Sequence, residues 1–305
     1  MLFLGERAIG ILSGGCLEAD LRTRAEGVFE HGKALIHTYE LDQDGDIIFG
    51  YGEGCPGTIK VLLEPLRGPQ GDVELSLLLG ASGGVCFDKT LLLVAKKGEQ
   101  IQVQRQGWYG DEDASMGPRV FVDDDHEKLR KLPPGSFSKT IQEFEISGLV
   151  QASRRPVDLH LFGAGADAQV LFELACFMGW DVTIYDHRRP LLDFPLFDQA
   201  KAKVLTDHEG PISLEVHDRT ACVLMTHHFL RDVSLLERLL EKEPPYLGMI
   251  GSSVRRTFLE ESLKERQMSL PETVYSPIGL KLGGRDPESI ALSIVAQIQQ
   301  KFNGA

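Results

Sequence analysis

The sequence lacks long hydrophobic runs, a basic stripe and a regular set of cysteines. None of its apolar runs approaches the roughly 18 residues of a membrane span, and Met1–Leu4 is too short and too soon followed by charge to be a signal peptide. The net charge of −13 argues against a nucleic-acid-binding surface. The five cysteines are odd in number and form no CxxC pair, which argues against a disulfide framework or a zinc finger and favours a reducing cytoplasm.

The composition that remains is that of an ordinary globular protein. The 305 residues are 42% hydrophobic and 25% charged, and this length is enough for two domains. The Ser-Arg-Arg-Pro segment at 153–156 interrupts the chain before a strongly apolar stretch. We therefore expect a small strand-rich α/β domain at 1–150 and a second domain at 151–305.

The second domain opens with a strand, a glycine turn, a helix and a strand. An apolar strand ends at Phe162, the turn GAGADA begins at Gly163, and apolar residues then recur at helical spacing up to Gly179. The first glycine permits a tight turn, and the second, Gly165, lets a pyrophosphate approach the backbone at a helix N-terminus. This order predicts a Rossmann-like, doubly wound parallel sheet that binds a mononucleotide or dinucleotide. A Rossmann unit with an empty or altered ligand site is the alternative.

An acidic residue follows at the spacing of a ribose ligand. Asp186 ends the next strand about 20 residues after the glycine turn, where an acid meets a ribose hydroxyl in dinucleotide-binding folds. The basic residues at 187–189 leave room for a 2′-phosphate, so NAD and NADP both remain open.

Two later turns are expected at the same edge of the sheet. One apolar strand ends in Thr226-His227-His228, and the next is followed by Gly251-Ser252-Ser253. Ligands of open parallel sheets bind outside the carboxyl ends of the strands. We therefore expect Thr226, His227, Gly251 and Ser252 to join the glycine turn. His227 is a candidate general acid–base or phosphate donor, with a backbone-bonded capping histidine as the alternative.

The first domain carries two glycine-bounded cysteines. Ser13-Gly14-Gly15-Cys16 precedes a helix with Glu18 in its first turn and an apolar face of Leu17, Leu21, Ala25 and Val28. A helix N-terminus lowers a thiol pKa, which makes Cys16 a candidate reactive thiol; a small residue filling a turn is the alternative. Gly54-Cys55 lies in a second glycine-rich loop, so a shared anion or sulfur-chemistry site is one interpretation and two packed turns the other. Strands are expected at 2–4, 8–12, 34–41, 58–66, 73–79, 90–95 and 101–105, and a loop at 107–118.

Seven segments resemble the XdhC/CoxI family, whose members are accessory factors of xanthine dehydrogenase and related molybdenum hydroxylases. In chain order these are SGGCLEADL (13–21), GCPGTIKVLLEPL (54–66), LFGAGADA (161–168), VTIYDHRRP (182–190), MTHHFLRDVSLLERLL (225–240), YLGMIGS (246–252) and PIGLKLGGRDPESIALSIVAQI (277–298).

The resemblance favours a non-catalytic cofactor chaperone over an enzyme, with Cys16 and His227 as the candidates for any catalytic role. Such a protein binds the molybdenum cofactor in its molybdopterin form, assists its sulfuration by a cysteine desulfurase, and delivers it to an apo-xanthine dehydrogenase-type hydroxylase; a homodimer is expected. The resemblance places the cofactor at Ser13, Gly14, Gly15, Cys16, Glu18, Gly54, Cys55, Gly163, Gly165, Asp186, Thr226, His227, Gly251 and Ser252, with Cys16 nearest the molybdenum. An NAD(P)-dependent oxidoreductase and a ligand-free scaffold remain alternatives.

The chain departs from the family pattern at four points. Members usually have a further segment before SGGC, so we expect that a preceding segment is missing here. Pro56 stands where a glycine is common, Ala166 where many members have histidine, and Gln297 where glutamate is frequent.

Overall fold

The computed structural model describes residues 1–12, 16–41, 57–67, 81–82, 85–86, 89–98, 100–109, 112–116, 131–141, 144–152, 155–206 and 212–304. The chain forms two compact units, Met1–Arg155 and Pro156–Ala305. Among the described residues, none of the helices combines the length and apolarity needed to cross a membrane.

The first unit begins with a strand pair and a helix on a hairpin. Strands β1 (Leu2–Leu4) and β2 (Arg7–Ile9) pair antiparallel. Helix α1 (Cys16–His31) buries the apolar face predicted for it against a second antiparallel pair, β3 (Leu35–Leu41) and β4 (Gly57–Leu63). The buried side chains of this small core are Leu17, Leu21, Val28 and Leu63.

A five-stranded antiparallel sheet completes the first unit, after a short strand pair. The pair is β5 (Ala81–Ser82) and β6 (Val85–Cys86), and the sheet contains β7 (Lys89–Lys97), β8 (Gln100–Tyr109), β9 (Glu112–Met116), β10 (Gly135–Ile141) and β11 (Phe144–Ala152), in the order β10-β11-β7-β8-β9. The loop predicted at 107–118 is wrong over its described part, because β8 continues to Tyr109 and β9 pairs with it. Backbone pairing with a neighbouring strand overrides the polar composition there.

The second unit is built on a six-stranded parallel sheet. Its strands are β12 (Asp158–Phe162), β13 (Asp181–Asp186), β14 (Ala202–Leu205), β15 (Thr220–Leu224), β16 (Tyr246–Met249) and β17 (Val274–Tyr275), in the order β14-β13-β12-β15-β16-β17. The sheet grows outward from β12 in one direction and from β15 in the other. This is the doubly wound order predicted from the sequence, and it places the switch point between β12 and β15.

Helices cover both faces of this sheet. They are α2 (Ala166–Phe177), α3 (Arg189–Leu192), α4 (Phe229–Lys242), α5 (Ser253–Glu265) and α6 (Pro287–Asn303), with a 3-10 turn at Pro195–Gln199. One buried cluster joins α2 and α6 to the sheet, and another joins α4 and α5 to it. All five residues of β12 are buried, as expected of a strand covered on both faces.

The buried face of α2 takes in only part of the apolar repeat that runs up to Gly179. Phe177 belongs to that repeat, but its side chain is 86% exposed. The buried residues follow the helical repeat from Ala168 through Leu171, Phe172 and Ala175. The small residues in this set let the helix lie close to the sheet, which the apolar pattern alone did not indicate.

Candidate functional site

The glycine turn after β12 is held against the end of β15. Gly163 has φ +120° and donates its N–H to the Tyr185 carbonyl oxygen over 2.8 Å. A Cβ at this position would collide with the backbone carbonyl of Met225. Only glycine fits here, both because of its φ and because the two backbones approach so closely.

The N-terminus of α2 is open. Gly165 is its N-cap residue, with an ordinary φ of −70°, and no side chain of the described residues caps this helix end. A Cβ at Gly165 would have no described heavy atom within 4 Å. The first amides of α2 therefore keep the free N–H groups and the space that an incoming anion needs.

His227 lies beside this helix end. Its backbone is left-handed, with φ +57°, and its half-exposed ring places Nε2 3.3 Å from Oδ2 of Asp167 in the first turn of α2. The Thr226 hydroxyl accepts the N–H of His228 over 3.2 Å, which stabilises the turn formed by residues 226–228. The ring of His227 thus contacts an acid in the first turn of α2.

A buried ion pair ties this turn to the next loop. Asp232 in α4 is fully buried and accepts hydrogen bonds from Thr226 Oγ1 at 2.5 Å and from Arg255 Nη2 at 2.6 Å. The Arg255 stem passes over Gly251, where a Cβ would lie 2.6 Å from Cδ of the arginine. Ser252 caps α5 by accepting the Arg255 N–H over 3.3 Å. The glycine turn, the Thr226 turn and the Gly251 loop therefore meet at one edge of the sheet.

Asp186, the expected ribose ligand, is already occupied. One carboxylate oxygen accepts the Ala164 N–H at 2.8 Å and Arg188 Nη2 at 2.9 Å, and the other accepts the Arg188 backbone N–H at 2.8 Å and Nε at 2.9 Å. His187 Nδ1 lies a further 3.1 Å from the second oxygen. Burial alone would raise the pKa of Asp186, but these hydrogen bonds, led by those from Arg188, hold it at about 2.

A small cleft opens beside Asp186. It is open to solvent, and its walls include Thr206, Thr226 and Leu235. His187 lies on its rim, and its Nε2 is 2.7 Å from Nη1 of Arg231. Burial and the charge of Arg231 lower the pKa of His187, so at neutral pH the ring is neutral and Nε2 can accept a hydrogen bond from Arg231 while Nδ1 faces Asp186.

The cysteine loops of the first unit lie outside the described residues. This holds for Ser13, Gly14, Gly15, Gly54 and Cys55, and for the thiol of Cys16. Helix α1 begins at Cys16, and Glu18 accepts the N–H of Leu12 over 3.1 Å. Within the ranges that the structure describes, no three His, Cys, Asp or Glu side chains form a metal-binding group.

The sequence did not single out four residues that make contacts here, namely Asp167, Asp232, Arg255 and Gln297. Gln297 accepts hydrogen bonds from the Tyr246 hydroxyl and from the Gly279 N–H, both at 2.8 Å, which fixes the PIGL loop to α6. The only sequence signals for them were charged residues in the first turns of apolar helices and the family's frequent glutamate at position 297.

Known proteins are similar in sequence to this domain and to most of the chain. Residues 159–298 match the family model described as the XdhC Rossmann domain. A protein of Bacillus subtilis (strain 168), named as a probable subunit of xanthine dehydrogenase, is 28% identical over 96% of this chain and 84% of its own length. The molybdenum cofactor insertion chaperone PaoD of Escherichia coli (strain K12) is 26% identical over 96% of this chain and 74% of its own.

A solved structure extends the similarity to the backbone. The crystal structure of a protein described as a xanthine dehydrogenase from Bacillus halodurans matches 96% of this chain and 82% of that one, with 28% identity and a TM-score of 0.70. The switch-point order of the sheet and the glycine turn agree with the matched domain family. Residues 159–298 therefore match the XdhC Rossmann domain, and the two relatives, similar over 96% of the chain, agree with the resemblance to the XdhC/CoxI family that the motifs predicted.

Proposed function

We propose that this protein is an accessory factor that binds the molybdenum cofactor and assists its sulfuration and its insertion into a xanthine dehydrogenase-type hydroxylase. The observation that carries the proposal is the uncapped N-terminus of α2 at Gly165, which lies at the switch point of the sheet. The names of two relatives support the same function, since one is a molybdenum cofactor insertion chaperone and the other a probable component of xanthine dehydrogenase.

The residues of the sheet edge suit the phosphate of a pterin cofactor. The free amides after Gly165 offer hydrogen bonds to its oxygens, and Arg231 adds positive charge at the rim of the neighbouring cleft. The fully engaged Asp186 does not oppose an anion as a bare carboxylate would. When bound, the cofactor supplies the molybdenum and sulfur ligands that the hydroxylase needs.

We assign the site residues of this chain to binding the cofactor and protecting it. The amides of α2 hold the phosphate, and His227, fixed beside Asp167, donates to or shields the bound group. Cys16 at the start of α1 is the candidate neighbour of the molybdenum. The cysteine desulfurase and the apo-hydroxylase are the proposed partners, and a homodimer is the proposed assembly.

The test is the molybdenum and pterin content of protein purified without oxygen from cofactor-replete cells. We expect both in the wild type and in a Cys176→Ala control, and less of both after Cys16→Ala or Gly165→Asp. The second substitution enters open space at an ordinary φ, and the aspartate would cap α2 in place of the phosphate. A wild type that never retains molybdenum or pterin would refute the proposal.

The alternatives predict different outcomes. An NAD(P)-dependent oxidoreductase would bind NAD(P)H tightly and turn over a hydride acceptor, yet the acid that should hold the ribose is already engaged by Arg188. A ligand-free scaffold would bind the desulfurase and the hydroxylase equally well with or without the cofactor and after Gly165→Asp.

A further inference from the structure

Asp186, at the carboxyl end of β13, occupies the position of the acid that binds a ribose in dinucleotide-binding folds. Its capacity to accept hydrogen bonds, however, is used by groups of this chain. A carboxylate has about four lone-pair sites. Those of Asp186 are taken by the N–H of Ala164, the backbone N–H of Arg188, and Nε and Nη2 of the same arginine. Two ribose hydroxyls would therefore find no free acceptor on this side chain.

We propose that Arg188 closes the ribose subsite, so that this Rossmann site takes a phosphate monoester such as a pterin phosphate and rejects ligands extended by a nucleotide. The inference rests on the proposed function for the identity of the pterin, but the closure itself depends only on Asp186 and its partners. It makes Arg188 a specificity-determining residue beside the anion-binding turn.

The roles of the two arginines that follow β13 are distinct. Arg188 reaches back to the acid in a two-pronged contact, whereas Arg189 pairs with Asp193 at the surface, where its side chain is 70% exposed. Truncating Arg188 removes two of the donors to Asp186 and leaves two backbone N–H groups, with Nδ1 of His187 3.1 Å from Oδ1, to hold the acid in place. Truncating Arg189 removes the same charge without freeing any acceptor site on that acid.

ADP-ribose is the probe, because it offers a pyrophosphate and a nucleotide ribose without redox chemistry. Calorimetric titration of the full chain should show that Arg188→Ala binds ADP-ribose at least about tenfold more tightly than the wild type. Tenfold corresponds to about 1.4 kcal/mol, the low end for a hydrogen bond to a charged acceptor. Arg189→Ala should show no gain. Inorganic pyrophosphate, which lacks the ribose, should bind the Arg188 variant no better than the wild type, since a cation has been lost.

Two further variants keep the test decisive. Arg188→Met retains the aliphatic stem and should show the same gain if the alanine variant folds poorly. Asp186→Asn added to Arg188→Ala should abolish the gain, since the acceptor is then lost. Equal affinity of the wild type and both Arg188 variants for ADP-ribose, tight or weak, would overturn the proposal. None of these titrations uses the molybdenum cofactor, so failure here is distinguishable from failure of the proposed function.

Discussion

The buried pair of Asp232 and Arg255 should be a major stabilising contact of the second unit. Breaking a buried ion pair by removing one partner costs about 3–5 kcal/mol. The Arg255 side chain is 25% exposed and can partly rehydrate, so we reduce this to about 2–3 kcal/mol for Asp232→Asn. The substitution conserves volume, and the loss therefore reports charge and hydrogen bonding rather than a cavity.

The assay is equilibrium urea unfolding followed by tryptophan fluorescence. The chain has two tryptophans, and Trp180 is buried in the second unit. In a Trp108→Phe background, the fluorescence then reports that unit alone. Asp193→Asn is the matched control, because that acid is 53% exposed and pairs at the surface, where ion pairs contribute about 0–1 kcal/mol.

A double-mutant cycle with Arg255→Gln isolates the pair. Contacting residues in one network couple by about 0.5–3 kcal/mol, and we expect the upper half of this range. A loss below about 0.5 kcal/mol for Asp232→Asn, or single changes whose effects simply add, would show that the pair contributes little to the stability of the second unit.

Three further predictions concern stability. Gly163→Ala should cost at least about 1–3 kcal/mol for its φ of +120°, whereas Gly165→Ala, which enters open space but replaces an N-cap glycine, should cost no more than about 1 kcal/mol by urea unfolding. Gln297→Leu leaves two donors unpartnered and should cost about 1–3 kcal/mol for each one that stays buried; thermal unfolding checks this, and Gln297→Glu should be milder. Burial opposes ionisation of Asp158, but hydrogen bonds led by His160 hold its pKa at about 2, below the usual 3.8. The stability this contributes is complete above about pH 5 and is lost as the pH falls toward 2, so Asp158→Asn should flatten acid unfolding there.

Much of the second unit could be predicted because its signals are local. Strands such as β12 and β15 are covered on both faces and therefore form continuous apolar runs. Gly163 and Gly179 mark backbone positions with positive φ, and proline precedes or begins elements such as α6. Strand, turn and helix follow in a fixed order, and that order determines the switch point.

The remaining features depend on contacts that sequence spacing does not encode. Strands β9 and β10 have little apolar pattern and are held by pairing with β8 and β11, while β11 pairs in turn with β7, which is distant in sequence. Phe177 is exposed because α2 turns the side that contains Ala168 and Ala175 toward the core. The spacing placed Asp186 correctly at the end of β13, but nothing in the spacing shows that Arg188 folds back onto it.

The acids at the carboxyl edge of the sheet share an arrangement that bears on an anionic ligand. Asp186, Asp232 and Asp167 each face a basic partner, namely Arg188, Arg255 and His227 respectively. The chain as a whole carries a net charge of −13, which would repel a phosphate. The arginine partners of Asp186 and Asp232 offset part of that repulsion near the α2 amides. Under the proposed function, the backbone N–H groups of α2 therefore supply the directional hydrogen bonds to a tetrahedral phosphate, and Arg231 adds charge at the rim of the neighbouring cleft.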